Sequence, residues 1–354
     1  MSRFLHPQYA GLEAYTPGEQ PRDRQYIKLN TNESPYPPAP AVLAALTEQD
    51  LADLRLYSDP EGTALRAKLA ELYGVEAGQG FLSNGSDDIL NFAFMAFGAD
   101  GAVFPTLTYS FYPVFANLHG VAYETVPLRE DFTLDVAGMQ GKGKLTVFPN
   151  PNAPTGIALP LDQVEAIVAA NPDHVVVVDE AYVDFGADSA VPLLQRYENL
   201  LVVMTYSKSR SMAGARLGFA LGSRTLIQDL EKLKYSTNPY NVNRLTLKLG
   251  QAAVDSDGYF REKAREIMAT REKTAQTLRA LGFTLPDSQA NFLFVAHPKV
   301  AGETLYRKCK EKGVLIRHFS DPAIAAYNRV TIGTPAEMEA FLAVVQTILK
   351  EEGA

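Results

Sequence analysis

Three polar clusters in the chain each follow a short apolar run that reads as a β-strand. Leu145–Phe148 leads into Pro149-Asn150-Pro151-Asn152-Ala153-Pro154-Thr155-Gly156. Val175–Val178 leads into Asp179-Glu180-Ala181-Tyr182. Leu201–Met204 leads into Thr205-Tyr206-Ser207-Lys208, with Arg216 eight residues beyond the lysine. Open α/β sheets bind ligands at the carboxyl ends of their strands, so the amine of Lys208, the carboxylate of Asp179, the amide of Asn152, the phenol of Tyr182 and the guanidinium of Arg216 are placed to converge. A desolvated lysine near a second cation has its charged form disfavoured, as an amine nucleophile and proton carrier requires. Gly85-Ser86-Asp87, just before Ile89-Leu90, offers backbone amides at a helix N-terminus, where an anion binds. Thr205, Ser207 and Arg216 add hydroxyl and cationic partners for the same anion.

The elements that carry these groups follow from hydrophobic pattern. Val103-Phe104 joins the three runs above as a fourth strand, and the continuous β-branched run at Val175–Val178 is that of a strand buried on both faces. Leu161, Val164, Ile167 and Val168 form the apolar stripe of an intervening helix that ends near Asn171-Pro172. Repeated strand-helix-strand units imply an α/β protein with a mainly parallel, doubly wound sheet. A helix over about residues 63–74 has Thr63 as candidate cap and Gly74 as its stop. The last part differs: a long helix from about Gly258 to Leu281, strands at Asn291–Val295, Val314–Arg317 and Arg329–Ile332, and a closing helix with a capping box at Thr334 and Glu337. The expected organisation is an N-terminal arm over 1–28, a large domain over 29–260 and a small α+β domain over 261–354.

Asn-Pro-x-x-Pro-Thr-Gly, Asp-Glu-x-Tyr and Ser-Lys with the later arginine together resemble the fold-type I pyridoxal-phosphate aminotransferases. Leu29-Asn30-Thr31-Asn32-Glu33-Ser34-Pro35-Tyr36, Tyr57, Gly85-Ser86-Asp87-Asp88, Pro105-Thr106-x-x-Tyr109 and Arg329-Val330-Thr331-Ile332-Gly333 narrow the likeness to the histidinol-phosphate aminotransferase group. The likeness runs from about Tyr15 to the C-terminus. It implies pyridoxal phosphate as cofactor, a large domain with a seven-stranded sheet, and transfer of an amino group between histidinol phosphate and glutamate. It implies that Lys208 holds the cofactor aldehyde and moves the substrate proton, and that Asp179 faces the pyridine nitrogen. Asn152 and Tyr182 would donate to the ring hydroxyl oxygen, and Tyr109 would stack on the ring. Gly85, Ser86, Asp87, Thr205, Ser207 and Arg216 would cradle the phosphate, with Tyr57 reaching it from the other subunit of a homodimer. Arg329 would grip a substrate carboxylate, with Arg317, Tyr15 and Asn32 as further substrate contacts. Ala153, where a second asparagine is frequent, and Ser209-Arg210-Ser211-Met212 depart from the commonest pattern. An aromatic or broad-range amino-acid aminotransferase, and a decarboxylase of phosphorylated amino acids, stay open as alternatives.

Composition narrows the partners. The chain has 354 residues, 46% hydrophobic and 21% charged, and a formal net charge of −8, which speaks against nucleic acid, an anionic membrane surface or a DNA-binding regulator. The five histidines, His6, His119, His174, His297 and His318, show no metal-ligand spacing with the single cysteine, Cys309, so no metal is expected. No secretory signal and no membrane-length apolar run stands out. The expectation is a cytoplasmic enzyme acting on a small-molecule amino donor and a 2-oxo acid.

Overall fold

The computed structural model of the chain describes residues 2–13 and 15–354. Its strands are β1 Ile27–Lys28, β2 Gly80–Ser83, β3 Ala102–Pro105, β4 Tyr123–Val126, β5 Leu145–Pro149, β6 Val176–Asp179, β7 Leu200–Thr205, β8 Gly218–Gly222, β9 Phe292–Ala296, β10 Val314–Leu315, β11 Arg317–His318 and β12 Tyr327–Thr331. Seven of them form one sheet in the order β2-β8-β7-β6-β5-β3-β4. All its neighbours run parallel except β8, which is antiparallel to both β2 and β7. Every residue of β5, β6 and β7 is buried, because helices cover both faces of the sheet. The expected strands are all present, within a residue or two of the read boundaries.

Register places the chemistry. Pro149 lies opposite Asp179, and Asp179 opposite Val203, so β5, β6 and β7 end along one edge. Gly218 of β8 lies opposite both Ser83 and Thr205. A Cβ there would stand 2.4 Å from the Gly85 carbonyl carbon and 2.5 Å from the Ser86 nitrogen. Only glycine lets β8 approach the turn that opens the helix Ser86–Phe97, and that approach sets the turn beside the end of β7.

The second body surrounds the sheet β11-β12-β9. Its apolar core draws on Phe292, Leu293, Val295, Val330, Phe341 and Val345, and also on Leu29 and Tyr182 from earlier in the chain. β1 pairs in parallel with β10, so the start of the chain is fastened to its last quarter. The helix Asp257–Ala280 joins the two bodies: Phe260 packs in the core of the large sheet, and Ala264 and Ile267 in the core of the small one.

Two local expectations are corrected. Val314–Arg317 is two strands, not one: Val314 and Leu315 pair with Ile27 and Lys28, while Arg317 pairs with Arg329, and buried Ile316 marks the switch of partner. Thr63 does not cap its helix. The N-cap is Gly62, at φ +59°, and the Thr63 amide donates instead to Asp59 Oδ2 at 2.7 Å. The capping box at Thr334 and Glu337 is present as read. Among the described residues no helix is long and apolar enough to cross a membrane.

Candidate active site

A cavity of about 310 Å³ opens at the ends of β6 and β7, lined by Ser86, Asp87, Tyr109, Asp179, Tyr182, Thr205, Ser207, Lys208 and Arg216. The distance in sequence between these residues is closed by the sheet register alone. Lys208 is half-buried, its Nζ donating to the Thr31 carbonyl at 3.2 Å and lying 5.7 Å from the centre of the Tyr182 ring. Asp179 is buried at the end of β6; its Oδ1 accepts from the Ala181 amide at 3.3 Å and its Oδ2 from the Tyr112 hydroxyl at 2.9 Å. Burial pushes its carboxyl up to about 6, while these hydrogen bonds pull the other way.

Asn152 turns its Nδ2 to the Leu107 carbonyl and Thr155 Oγ1, both at 3.2 Å, and leaves its buried Oδ1 with no protein partner. Asn32, at φ +57°, donates from Nδ2 to the Tyr182 hydroxyl at 2.9 Å and accepts from Thr331 Oγ1 at 3.0 Å. Both ends of its amide are therefore engaged inside the protein, and its place is behind Tyr182.

At the other end of the cavity the helix Ser86–Phe97 begins at Gly85 with no side chain capping its first amides, which leaves them free for an anion. Arg216, held at φ +53°, reaches Ser207 Oγ at 3.4 Å and Asp87 at 3.1 Å, and Ser207 Oγ accepts from Thr205 Oγ1 at 3.0 Å. Asp87 also accepts from the Tyr109 hydroxyl at 2.7 Å, which anchors that ring over the cavity. A Cβ on Gly85 would lie 2.6 Å from Arg216 Nη2.

A second cavity, of about 430 Å³, adjoins the first and shares Tyr109 and Ala153 with it; Tyr15, Arg317, Phe319 and Arg329 line its far side. Arg329 donates from Nη2 to the Asn30 carbonyl at 3.2 Å and keeps a sheltered Nε without a partner. Burial pushes its pKa down from the ordinary arginine range; the Arg317 charge adds to that push, and Tyr182, Tyr15 and Tyr109 oppose it. The small Ala153 side chain at the junction leaves the two cavities open to each other.

Tyr57 stands apart from both cavities. It is 78% exposed and stacks on Tyr240, ring centres 4.4 Å apart. Reading the sequence also missed Tyr112, Thr31 and Phe319. Tyr112 had one legible signal, its three-residue spacing from Tyr109 at the start of a helix. Among the described residues no group of three or more His, Cys, Asp or Glu side chains could hold a metal ion.

Residues 24–345 match the family model of aminotransferase class I and II. The chain belongs to that family. This aminotransferase is 48% identical over 353 residues to a histidinol-phosphate aminotransferase of Brachyspira hyodysenteriae, covering 99% of this chain and 100% of that one. It is 49% identical over 353 residues to histidinol-phosphate aminotransferase 1 of Bordetella parapertussis, covering 98% and 99%. Its fold matches the crystal structure of histidinol-phosphate aminotransferase from Sinorhizobium meliloti in complex with pyridoxal-5'-phosphate, with a TM-score of 0.88 at 24% identity over 99% of this chain and 98% of that one.

Proposed function

We propose that this aminotransferase moves an amino group between histidinol phosphate and 2-oxoglutarate, with pyridoxal phosphate as cofactor. The observation that carries the substrate reading is the second cavity: two arginines, Arg317 and Arg329, face one space that opens directly onto Lys208's cavity. One amino donor brings a phosphate and the other a carboxylate, and the same pair of cations serves both in turn. The names and near-complete coverage of the two relatives support the same reading.

The residues present fit the cofactor. The free Oδ1 and reorientable amide of Asn152, the uncapped helix start at Gly85 and the buried carboxylate of Asp179 match a ring hydroxyl, a phosphate and a pyridinium nitrogen respectively. When bound, the cofactor supplies an electron sink for the bond to the substrate α-hydrogen. Asp179 would hold the ring nitrogen's proton, Tyr109 would cover one face of the ring, and Arg216 would offset the phosphate charge while Ser207 and Thr205 donate to it. Lys208 Nζ would hold the cofactor aldehyde and would carry a proton to and from the substrate α-carbon. Asn32 keeps the Tyr182 hydroxyl aimed.

The working unit in this reading is a cytoplasmic homodimer in which Tyr57 completes the partner's phosphate site. Exposed Leu43, Leu51, Leu54 and Leu56 in the same stretch as Tyr57 support an apolar interface there. The change of core between Phe260 and Ala264 supports dividing the two domains at 260/261.

Steady-state amino transfer to 2-oxoglutarate from histidinol phosphate, phenylalanine and threonine phosphate tests the substrate. The expected result is a kcat/KM for histidinol phosphate at least about a hundredfold above the others, a difference of about 2.7 kcal/mol. Preference for phenylalanine, or release of carbon dioxide from threonine phosphate, overturns it.

A further inference from the structure

Asp179 has a partner that lies outside every motif quoted above. Tyr112 is fully buried as the second residue of the helix Phe111–His119, and its hydroxyl donates to Asp179 Oδ2 at 2.9 Å. Its amide donates to the Tyr109 carbonyl at 3.2 Å, and its ring meets Tyr109 edge-on, centres 5.8 Å apart at 86°. One side chain thus touches both the ring that covers the cofactor cavity and the carboxylate on its floor.

We infer that Tyr112 is a positioning residue that holds Asp179 ionised and aimed at the cofactor ring, an inference that rests on the cofactor reading above. A buried carboxylate oxygen left without a donor carries its full desolvation penalty. The groups facing Asp179 pull in different directions. Burial and the charge of Asp87 on the neighbouring helix favour the protonated form; Tyr112, the Ala181 amide and Lys208 favour the ionised one. Burial beside Asp179 pushes the Tyr112 phenol well above the ordinary range, and Tyr109 and Tyr182 push the same way, so it stays a donor at any working pH. Losing the Tyr112 hydrogen bond therefore moves Asp179 towards its protonated form.

The test uses the full-length apoprotein and pyridoxal phosphate itself. Calorimetry in buffers of different ionisation enthalpy counts the protons exchanged on binding. Binding sheds one more proton below the pKa of Asp179 than above it; the cofactor phosphate titrates in the same range, so the midpoint of the part of the change that disappears with Asp179→Asn reports that carboxyl. Tyr112→Phe keeps the ring and removes only the hydroxyl. The expected result is an upward move of that midpoint by about one pH unit, a tenfold gain in the proton's affinity. In an Asp179→Asn background the carboxyl's contribution is absent and only the phosphate's remains, and Tyr112→Phe should then change the proton count no further. A purely structural role would weaken binding by the same factor at every pH. A midpoint unmoved by Tyr112→Phe, or a shift that persists with Asp179→Asn, overturns the inference while leaving the cofactor reading intact. A wild-type protein that binds no pyridoxal phosphate overturns both.

Discussion

Arg317 and Arg329 stand directly opposite each other across the antiparallel pair β11 and β12, with their guanidinium carbons 5.9 and 6.0 Å from the centre of the Phe319 ring. Like charges facing across a sheet cost stability. Phe319 offers partial relief, since its face attracts both cations; the Glu19 carboxylate also attracts Arg317, and Asp321 lines the same cavity. A bound anion would offset that repulsion, and the cavity the pair lines is where it would sit.

Replacing Arg317 by Gln should therefore separate stability from function. Removing one of two facing charges recovers roughly 0.2–1 kcal/mol, which raises Tm by on the order of 1 °C in a chain of this size. The same change should raise KM for the phosphorylated donor by about tenfold or more, for a lost charged hydrogen bond. Arg329→Lys, which loses the two-pronged grip, should raise KM for both the phosphorylated donor and glutamate. Calorimetric melting beside steady-state kinetics measures both; an Arg317→Gln protein that melts lower and binds substrate normally contradicts the account.

Lys208 is the amine expected to hold the cofactor. Borohydride reduction of the yellow protein followed by peptide mapping should place a pyridoxyl group on this residue. Lys208→Ala should fold normally, because the side chain's hydrogen bond is a single one to Thr31, and should lose on the order of 10⁴-fold in turnover. A label on another lysine ends the assignment.

Glu180 gives a prediction about pH. It is buried beside Asp179, accepting from the Ala190 amide and from Ser189 Oγ, and burial pushes its carboxyl from 4.5 up to about 8. The folded protein thus binds this proton more tightly than the unfolded chain. The stability that Glu180 contributes is complete below about pH 4.5 and is lost as pH rises through about 8. Glu180→Gln, neutral throughout, should flatten that loss. Urea midpoints of the apoprotein at pH 5 and pH 8.5 decide: the variant should gain on wild type at the higher pH, and an equal pH dependence in both rules the explanation out.

The large sheet was legible because β5, β6 and β7 are unbroken apolar runs whose burial on both faces removes any need for alternation. β8 was not, since Gly218-Phe219-Ala220-Leu221-Gly222 is framed by two glycines, of which Gly218 serves the close approach to Gly85 and Gly222 packs against Leu201. The split at Ile316 was equally hidden, because what separates β10 from β11 is a change of partner to Ile27 on one side and Arg329 on the other. In the site, Lys208, Asp179, Asn152 and Arg216 announced themselves by following strands. Tyr112 did not, because its partner Asp179 lies 67 residues away and nothing local marks a buried tyrosine as a hydrogen-bond donor to a carboxylate. Arg329 was marked by the run Arg329-Val330-Thr331-Ile332-Gly333, but its opposition to Arg317 exists only once β11 and β12 pair.

Tyr57 is the residue whose proposed role the single chain leaves open on its surface. It is 78% exposed, stacked on Tyr240, and its carbonyl accepts from Arg244 at 2.9 Å, so its backbone is held while its ring is presented outward. If that ring completes a second subunit's phosphate site, two impaired proteins should repair each other. Mixing Tyr57→Ala with Lys208→Ala subunits makes heterodimers in which one site has both residues intact and the other has neither. Tyr57→Ala alone should lose one hydrogen bond to a charged group, about 1.5–3 kcal/mol, so that cofactor affinity falls roughly tenfold or more. The assay therefore belongs at limiting pyridoxal phosphate, with subunit exchange verified by mass. Activity above the sum of the two parents is expected. Verified exchange without such a gain rejects the shared site, and a monomer by light scattering during turnover rejects the dimer itself.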